Sequence, residues 1–164
     1  MDGERKQLDR ELLDSVIMRN ITHVRELLEL GADVNAKDAE HNETPLMLAA
    51  KFAGVDMVRH LLEVGAEVDA RDDRGRTALF YAPILSEVFG VLLRAGADVH
   101  ARDEEGNTIL MRKVSESATL AEVEYLLNLE VDPSAHNEDG ETALGLAESL
   151  GLVRVVERLR VRAG

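Results

Sequence analysis

No cysteine and no tryptophan occur in this 164-residue chain, and it holds only two tyrosines, three phenylalanines and three prolines. Without cysteine there is no disulfide framework, thiolate metal site or cysteine nucleophile. So few aromatics leave Leu, Val and Ala to build the core, which favours interlocked helices over a β-sandwich. A cationic excess is also missing: 19 Lys and Arg stand against 32 Asp and Glu, a formal net charge of −13. Surfaces that track phosphates need clustered cations, so nucleic acid is not the expected partner. An acidic surface serves solubility and suits a basic partner. No apolar run approaches a membrane span, and Met1 to Arg10 is charged, without the apolar stretch of a secretory signal. These absences point to a soluble, cytoplasmic protein that engages no membrane. At 45% hydrophobic and 31% charged residues the chain is globular rather than disordered.

What is present is repetition. Leu-Leu pairs recur at Leu27-Leu28, Leu61-Leu62, Leu92-Leu93 and Leu126-Leu127, in steps of 34, 31 and 34 residues. Three residues after each pair stand Gly31, Gly65, Gly96 and Glu130, the glycines opening Gly31-Ala32-Asp33-Val34-Asn35-Ala36, Gly65-Ala66-Glu67-Val68-Asp69-Ala70 and Gly96-Ala97-Asp98-Val99-His100-Ala101. Thr44, Thr77, Thr108 and Thr142 form a second column, each followed two residues later by Leu46, Leu79, Leu110 or Leu144. An Asp/Asn-x-x-Gly-x-Thr pattern precedes three of them, at Asp72, Asp103 and Asn137.

A fixed period near 33 with this punctuation means stacked helical hairpins. Thr before a helix caps its free N–H groups, and Pro45 is pre-set for a helix start. Apolar residues at i, i+3 and i+4 form the buried stripe, and glycine after the Leu-Leu helix supplies a left-handed C′ residue. The Asp-x-x-Gly stretch makes a tight turn. Thr44 to Ala70 is the most regular copy, with helices expected from Thr44-Pro45 and from about Val55 to Val64, then an extended Val68-Asp69-Ala70.

These residues resemble the ankyrin repeat, whose consensus has the form DxxGxTPLHxAAxxG…VxxLLxxGADVNA. The resemblance spans about Leu12 to Leu159. It implies an all-α solenoid of five helix-turn-helix repeats with β-hairpin loops, forming one domain over 1–164. Repeat bounds fall near 5–37, 38–71, 72–102, 103–136 and 137–164, the first and last being polar caps. It implies protein–protein recognition through the hairpin tips and the exposed ends of the first helices, on a concave face. On that basis the candidate partner-binding residues are the tips Glu40, His41, Asp73, Arg74, Glu104, Glu105, Glu138 and Asp139, with Lys51, Phe52, Ile84, Leu85, Arg112 and Lys113 beside them. The expected partner is another protein with a basic or mixed surface, and the free chain is expected to be monomeric.

Several residues depart from the consensus. Met47, Phe80, Met111 and Gly145 replace its histidine, and the first three make either a core ladder or a binding stripe. Pro83 should stunt the first helix of the third repeat; Ile84 and Leu85 after it either form an apolar patch with Phe52 or tuck inside. All-ankyrin cyclin-dependent kinase inhibitors are similar in length and repeat number and also carry a shortened helix, at another place in the array. That likeness makes enzyme inhibition the alternative function, with a structural or oligomeric subunit as another. Lys113, where alanine is usual, either snorkels towards Glu116 or has a functional role. A column of Lys37, Arg71, Arg102 and His136 precedes the turns as a basic stripe.

No chemistry is designated. His23, His41, His60, His100 and His136 show no HExxH or other metal spacing, and there is no GxSxG, P-loop or GxGxxG. Neither a cofactor nor an enzymatic activity is expected.

Overall fold

The computed structural model describes residues 2–163. The chain forms two compact units, Met1–Asp98 and Val99–Gly164. In the first lie α1 (Asp2–Ile17), α2 (Ile21–Glu29), α3 (Pro45–Leu48), α4 (Val55–Glu63), α5 (Ala78–Tyr81) and α6 (Glu87–Arg94). The second holds α7 (Ile109–Ser115), α8 (Leu120–Asn128), α9 (Ala143–Ser149) and α10 (Val153–Ala163). Among the described residues there is no strand, only one antiparallel bridge between Arg102 and Thr108. The architecture is all-α, and the projecting loops are turns rather than paired β-hairpins.

In each unit the helices pair as hairpins, and like packs on like. In the N-terminal unit α3 packs against α1 and α5, and α4 against α6; in the C-terminal unit α7 packs on α9 and α8 on α10. The buried stripe follows the repeated columns: Leu12, Leu46 and Leu79 from first helices and Leu27, Leu61 and Leu92 from second helices are all buried, as are Leu110, Leu126 and Leu159 beyond them. Met47, Phe80 and Met111 are also buried, so they belong to the core and not to a binding stripe.

Threonine caps do what their positions require. Thr44, Thr108 and Thr142 Oγ1 accept from the amides of Met47, Met111 and Gly145 at 3.4, 3.3 and 3.1 Å. Thr77 makes no such cap, and its buried hydroxyl has no hydrogen-bond partner among the described residues.

The first helices end in different ways. After Leu48 the backbone widens into a π-helical turn, Ala49–Ala53, which Gly54 terminates at φ 91° by donating to the Ala49 carbonyl at 3.2 Å. Single π turns recur at functional sites, and this one carries Lys51 and Phe52. By contrast α5 stops after four residues, where Ala82 turns extended ahead of Pro83. Ile84 then folds inward and Leu85, at φ 64°, points outward. A left-handed non-glycine residue costs roughly 1–2 kcal/mol.

In the N-terminal unit side chains tie one hairpin to the next: Asn35 and Asp69 accept from the amides of Glu67 and Asp98 in the following repeat at 2.8 and 3.0 Å. Within the first repeat Asp9 accepts likewise from the Asp33 amide at 2.7 Å. Val68-Asp69-Ala70 is accordingly a turn, closed by Ala70 N–H to Glu67 at 3.3 Å, and not the extended segment expected from the sequence. Two members of the basic column have the same job. Lys37 Nζ donates to the Arg71 carbonyl at 3.0 Å and Arg102 to the His136 carbonyl at 2.9 Å. Arg71 donates to the Gly75 carbonyl of its own turn at 2.6 Å, so two members of the charged stripe are staples between repeats.

Glu130 stands where Gly31, Gly65 and Gly96 end the other second helices, and it takes the same left-handed region, φ 60° against 92–99°. Its backbone strain has no glycine to absorb it. Glu130→Gly is expected to stabilise the protein by about 1 kcal/mol, raising Tm by roughly 2–4 °C in calorimetry. A lower midpoint would show that the Glu130 side chain contributes more than the strain costs.

Candidate partner-binding surface

In the N-terminal unit the tip turns are built on aspartates. Asp38 Oδ1 accepts from the Glu40 and His41 amides at 2.8 and 2.6 Å, which leaves the Glu40 side chain exposed. The Asp73 amide donates to the His41 carbonyl at 2.9 Å, and His41 Nδ1 lies 3.7 Å from the Asp73 carboxylate. Four of the expected residues, Glu40, His41, Asp73 and Arg74, thus share two linked turns and are exposed.

Behind them lies a charge cluster that sequence reasoning missed. The fully buried Asp72 carboxylate accepts from the Arg74 and Arg76 amides at 2.8 and 2.9 Å, from Arg76 Nε at 3.0 Å and from the Tyr81 hydroxyl at 2.5 Å. Tyr81 Oη in turn accepts from Arg76, whose guanidinium stacks 4.7 Å from the ring centroid. Burial pushes the Asp72 carboxyl up, but the bonds from Tyr81, the two amides and Arg76 outweigh it and hold the group below the usual carboxylate range. Burial and the hydrogen bonds to Asp72 and Glu43 push the Tyr81 hydroxyl far up, so it stays protonated as a donor.

Lys51 joins this cluster to the surface. Its ammonium is 3.4 Å from the buried Glu43 carboxylate, 5.0 Å from the Phe52 ring centroid and 5.1 Å from that of Tyr81. One cation shared by two rings and a carboxylate fixes the position of Phe52, which remains 40% exposed. Of the next pair Leu85 is 55% exposed, whereas Ile84 is 5% exposed and leaves the candidate surface, because the chain turns inward after Pro83.

The tips of the C-terminal unit are built alike with different clamps. Asp103 Oδ1 accepts from the Glu105 and Asn107 amides at 3.1 and 2.9 Å. Arg112 reaches its buried Oδ2 at 2.8 Å and lies 3.7 Å from Glu105. Arg112 therefore holds the turn from behind, in the column where the preceding repeat has Tyr81. The Glu138 amide donates to the Glu105 carbonyl at 2.9 Å, linking the two tips, and Glu104, Glu105, Glu138 and Asp139 are exposed. This approach needs Gly106, since a Cβ there would lie 3.2 Å from the Glu138 nitrogen. Lys113 pairs with Glu116 at 3.0 Å with only 12% of its side chain exposed, the snorkelled arrangement.

Among the described residues no three His, Asp or Glu side chains are placed to hold a metal ion. No helix there is long and apolar enough to cross a membrane. A family model described as ankyrin repeats, three copies, matches residues 12–103. No curated protein matches the chain.

Proposed function

Since the chain belongs to the ankyrin-repeat family, whose repeats are generally protein–protein interaction modules, we propose that it is a non-catalytic recognition protein. It works as one domain of five repeats, monomeric when free. It binds a partner protein through the hairpin tips and the ends of the first helices. The partner surface is basic or mixed, meeting the tip carboxylates, with an apolar recess that receives Phe52. One observation carries this reading: the charges behind Phe52 are satisfied internally, while the ring is held at the surface by Lys51. An aromatic anchor already ordered before binding loses little side-chain freedom on docking.

The test is the affinity of a partner purified from the native source. Phe52→Ala should weaken binding about tenfold or more, and Glu104→Lys/Glu105→Lys by a smaller factor that shrinks at high salt. If neither moves the affinity, the site lies elsewhere. Inhibition of an enzyme stays the alternative reading, on the likeness in length and repeat number to all-ankyrin kinase inhibitors, whose shortened helix lies at another place in the array; the partner's own activity would then fall on binding.

A further inference from the structure

One column of the repeat, two residues before the Leu-Leu pair, carries a charge that bridges neighbouring second helices. Arg59, two before Leu61, joins α4 to α6 through Glu87 at 2.5 Å. Glu124, two before Leu126, joins α8 to α10 through Arg158 at 3.4 Å. Arg25 holds the same place before Leu27, yet it makes no ion pair among the described residues. Asp56 stands where Glu87 does, five residues before the pair, and Arg25 does not engage it.

What Arg25 meets instead is an imidazole. His60 stands one residue before Leu61, as Arg158 stands one before Leu159. Arg25 and His60 therefore take the places that Glu124 and Arg158 fill with an acid and a base. Here both groups are donors and the acid is missing. Burial and the Arg25 charge hold the His60 pKa below its ordinary value, against the pull of Glu63, so the ring is neutral at pH 7. Its Nε2 is buried without a hydrogen-bond partner among the described residues. A ring that no internal bond holds is free to turn a nitrogen towards a ligand.

Both residues line a cavity of about 550 Å³, a size that holds small ligands. It opens because α4 packs on α6, whereas α2 and α4 make little contact. Leu28, Val34 and Val64 give it apolar walls. Arg5 and Asp33 close one side as an ion pair at 3.3 Å, and Asp33 also accepts from the Asn35 amide at 2.9 Å. The unengaged donors are thus Arg25 and His60. Glu29, one turn after Arg25, is exposed on the wall, a charge that a monoanion tolerates better than a dianion. We propose that this cavity binds a monocarboxylate carried on an apolar body, with the carboxylate held by Arg25 and His60 and the body seated on Leu28, Val34 and Val64. A free aliphatic acid and the C-terminal leucine of a peptide share that chemistry. The site is built mainly on second helices and does not rest on the recognition function proposed above.

The probe is 4-methylpentanoate, titrated into the full chain and followed by amide NMR shifts. Its neutral amide, inorganic phosphate and a tripeptide ending in leucine with a free carboxylate are titrated beside it. The acid should move the Arg25, Val34, His60 and Val64 amides and bind about tenfold tighter than the neutral amide or phosphate. A tripeptide that binds tighter still assigns the carboxylate to a chain terminus; a weaker one assigns it to a free acid. Arg25→Gln should remove the preference for acid over amide with Tm unchanged. Arg25→Glu, which places there the charge that Glu124 carries, should abolish acid binding with Tm unchanged or higher. A purely structural Arg25 would lower Tm in both variants and give no preference for the acid. Equal binding of acid and amide, shifts confined to other residues, or an acid preference that survives Arg25→Gln each overturn the proposal. Binding of a native partner through Phe52 is measured separately, so either reading can fail without the other.

Discussion

Asp72→Ala should destabilise the protein by about 3 kcal/mol or more, the cost of leaving a half-buried guanidinium without its counter-charge. With Tm shifting about 2–4 °C per kcal/mol at this size, the midpoint should fall by roughly 6–12 °C. The reason is the number of groups stranded at once: Arg76, the Tyr81 hydroxyl, and the Arg74 and Arg76 amides all donate to one buried carboxylate. The effect carries a pH signature. Folding holds the Asp72 pKa below its unfolded value. Its contribution is therefore complete above that unfolded value, about 3.9, and is lost as pH falls through the folded one. The gap between native and variant midpoints should be full at pH 7 and narrow on acidification below about pH 4. A variant melting within 2 °C of the native protein at pH 7 would mean that the cluster contributes little. Tip geometry in the N-terminal unit would then need another source.

Arg112→Met should be nearly as damaging in the C-terminal unit, by about 3 kcal/mol. It leaves the Asp103 carboxylate, 1% exposed, with no cation at hydrogen-bond distance among the described residues. The instructive comparison is the double variant Asp103→Asn/Arg112→Met. Asparagine keeps an acceptor for the Glu105 and Asn107 amides and removes the unpaired charge. The double variant should recover more than half of the single variant's loss, a coupling that a thermodynamic cycle measures. Strict additivity would show that Arg112 acts through packing of its stem and not through its charge.

These two clusters mark how far the sequence could be read. The hairpins were legible because their signals are local: a threonine cap, an apolar stripe at helical spacing and a glycine stop all lie within one repeat. Pro83 announced the short α5 for the same reason. Contacts made between repeats were not legible in that way. Lys37, Arg71 and Arg102 look like a solvated basic stripe until the next repeat's carbonyls are seen to accept from Lys37 and Arg102. Ile84 and Leu85 are adjacent and equally apolar, yet a left-handed turn that no local motif announces sends one inward and the other out. Tyr81 was the residue most open to earlier notice. It stands as one of only two tyrosines, in the column where the next repeat places Arg112, and both turned out to grip the aspartate at the base of their tip. Exchange of an aromatic hydroxyl for a guanidinium at one position is what a shared acidic target would produce.

The tips of the candidate surface lie on exposed turns, whereas the carboxylates that close those turns were not legible as such in the sequence. Glu40, His41, Asp73 and Arg74 sit on turns locked by Asp38 and Asp72. Such tips present charge in a fixed pattern, which suits the selection of one partner over another. Hydrogen exchange of the chain with and without its native partner tests this most directly. Slowed exchange is expected in residues 38–43, 51–54, 72–76, 85–87 and 103–107, with α10 unchanged. Protection confined to the second helices, or to α10, would contradict it.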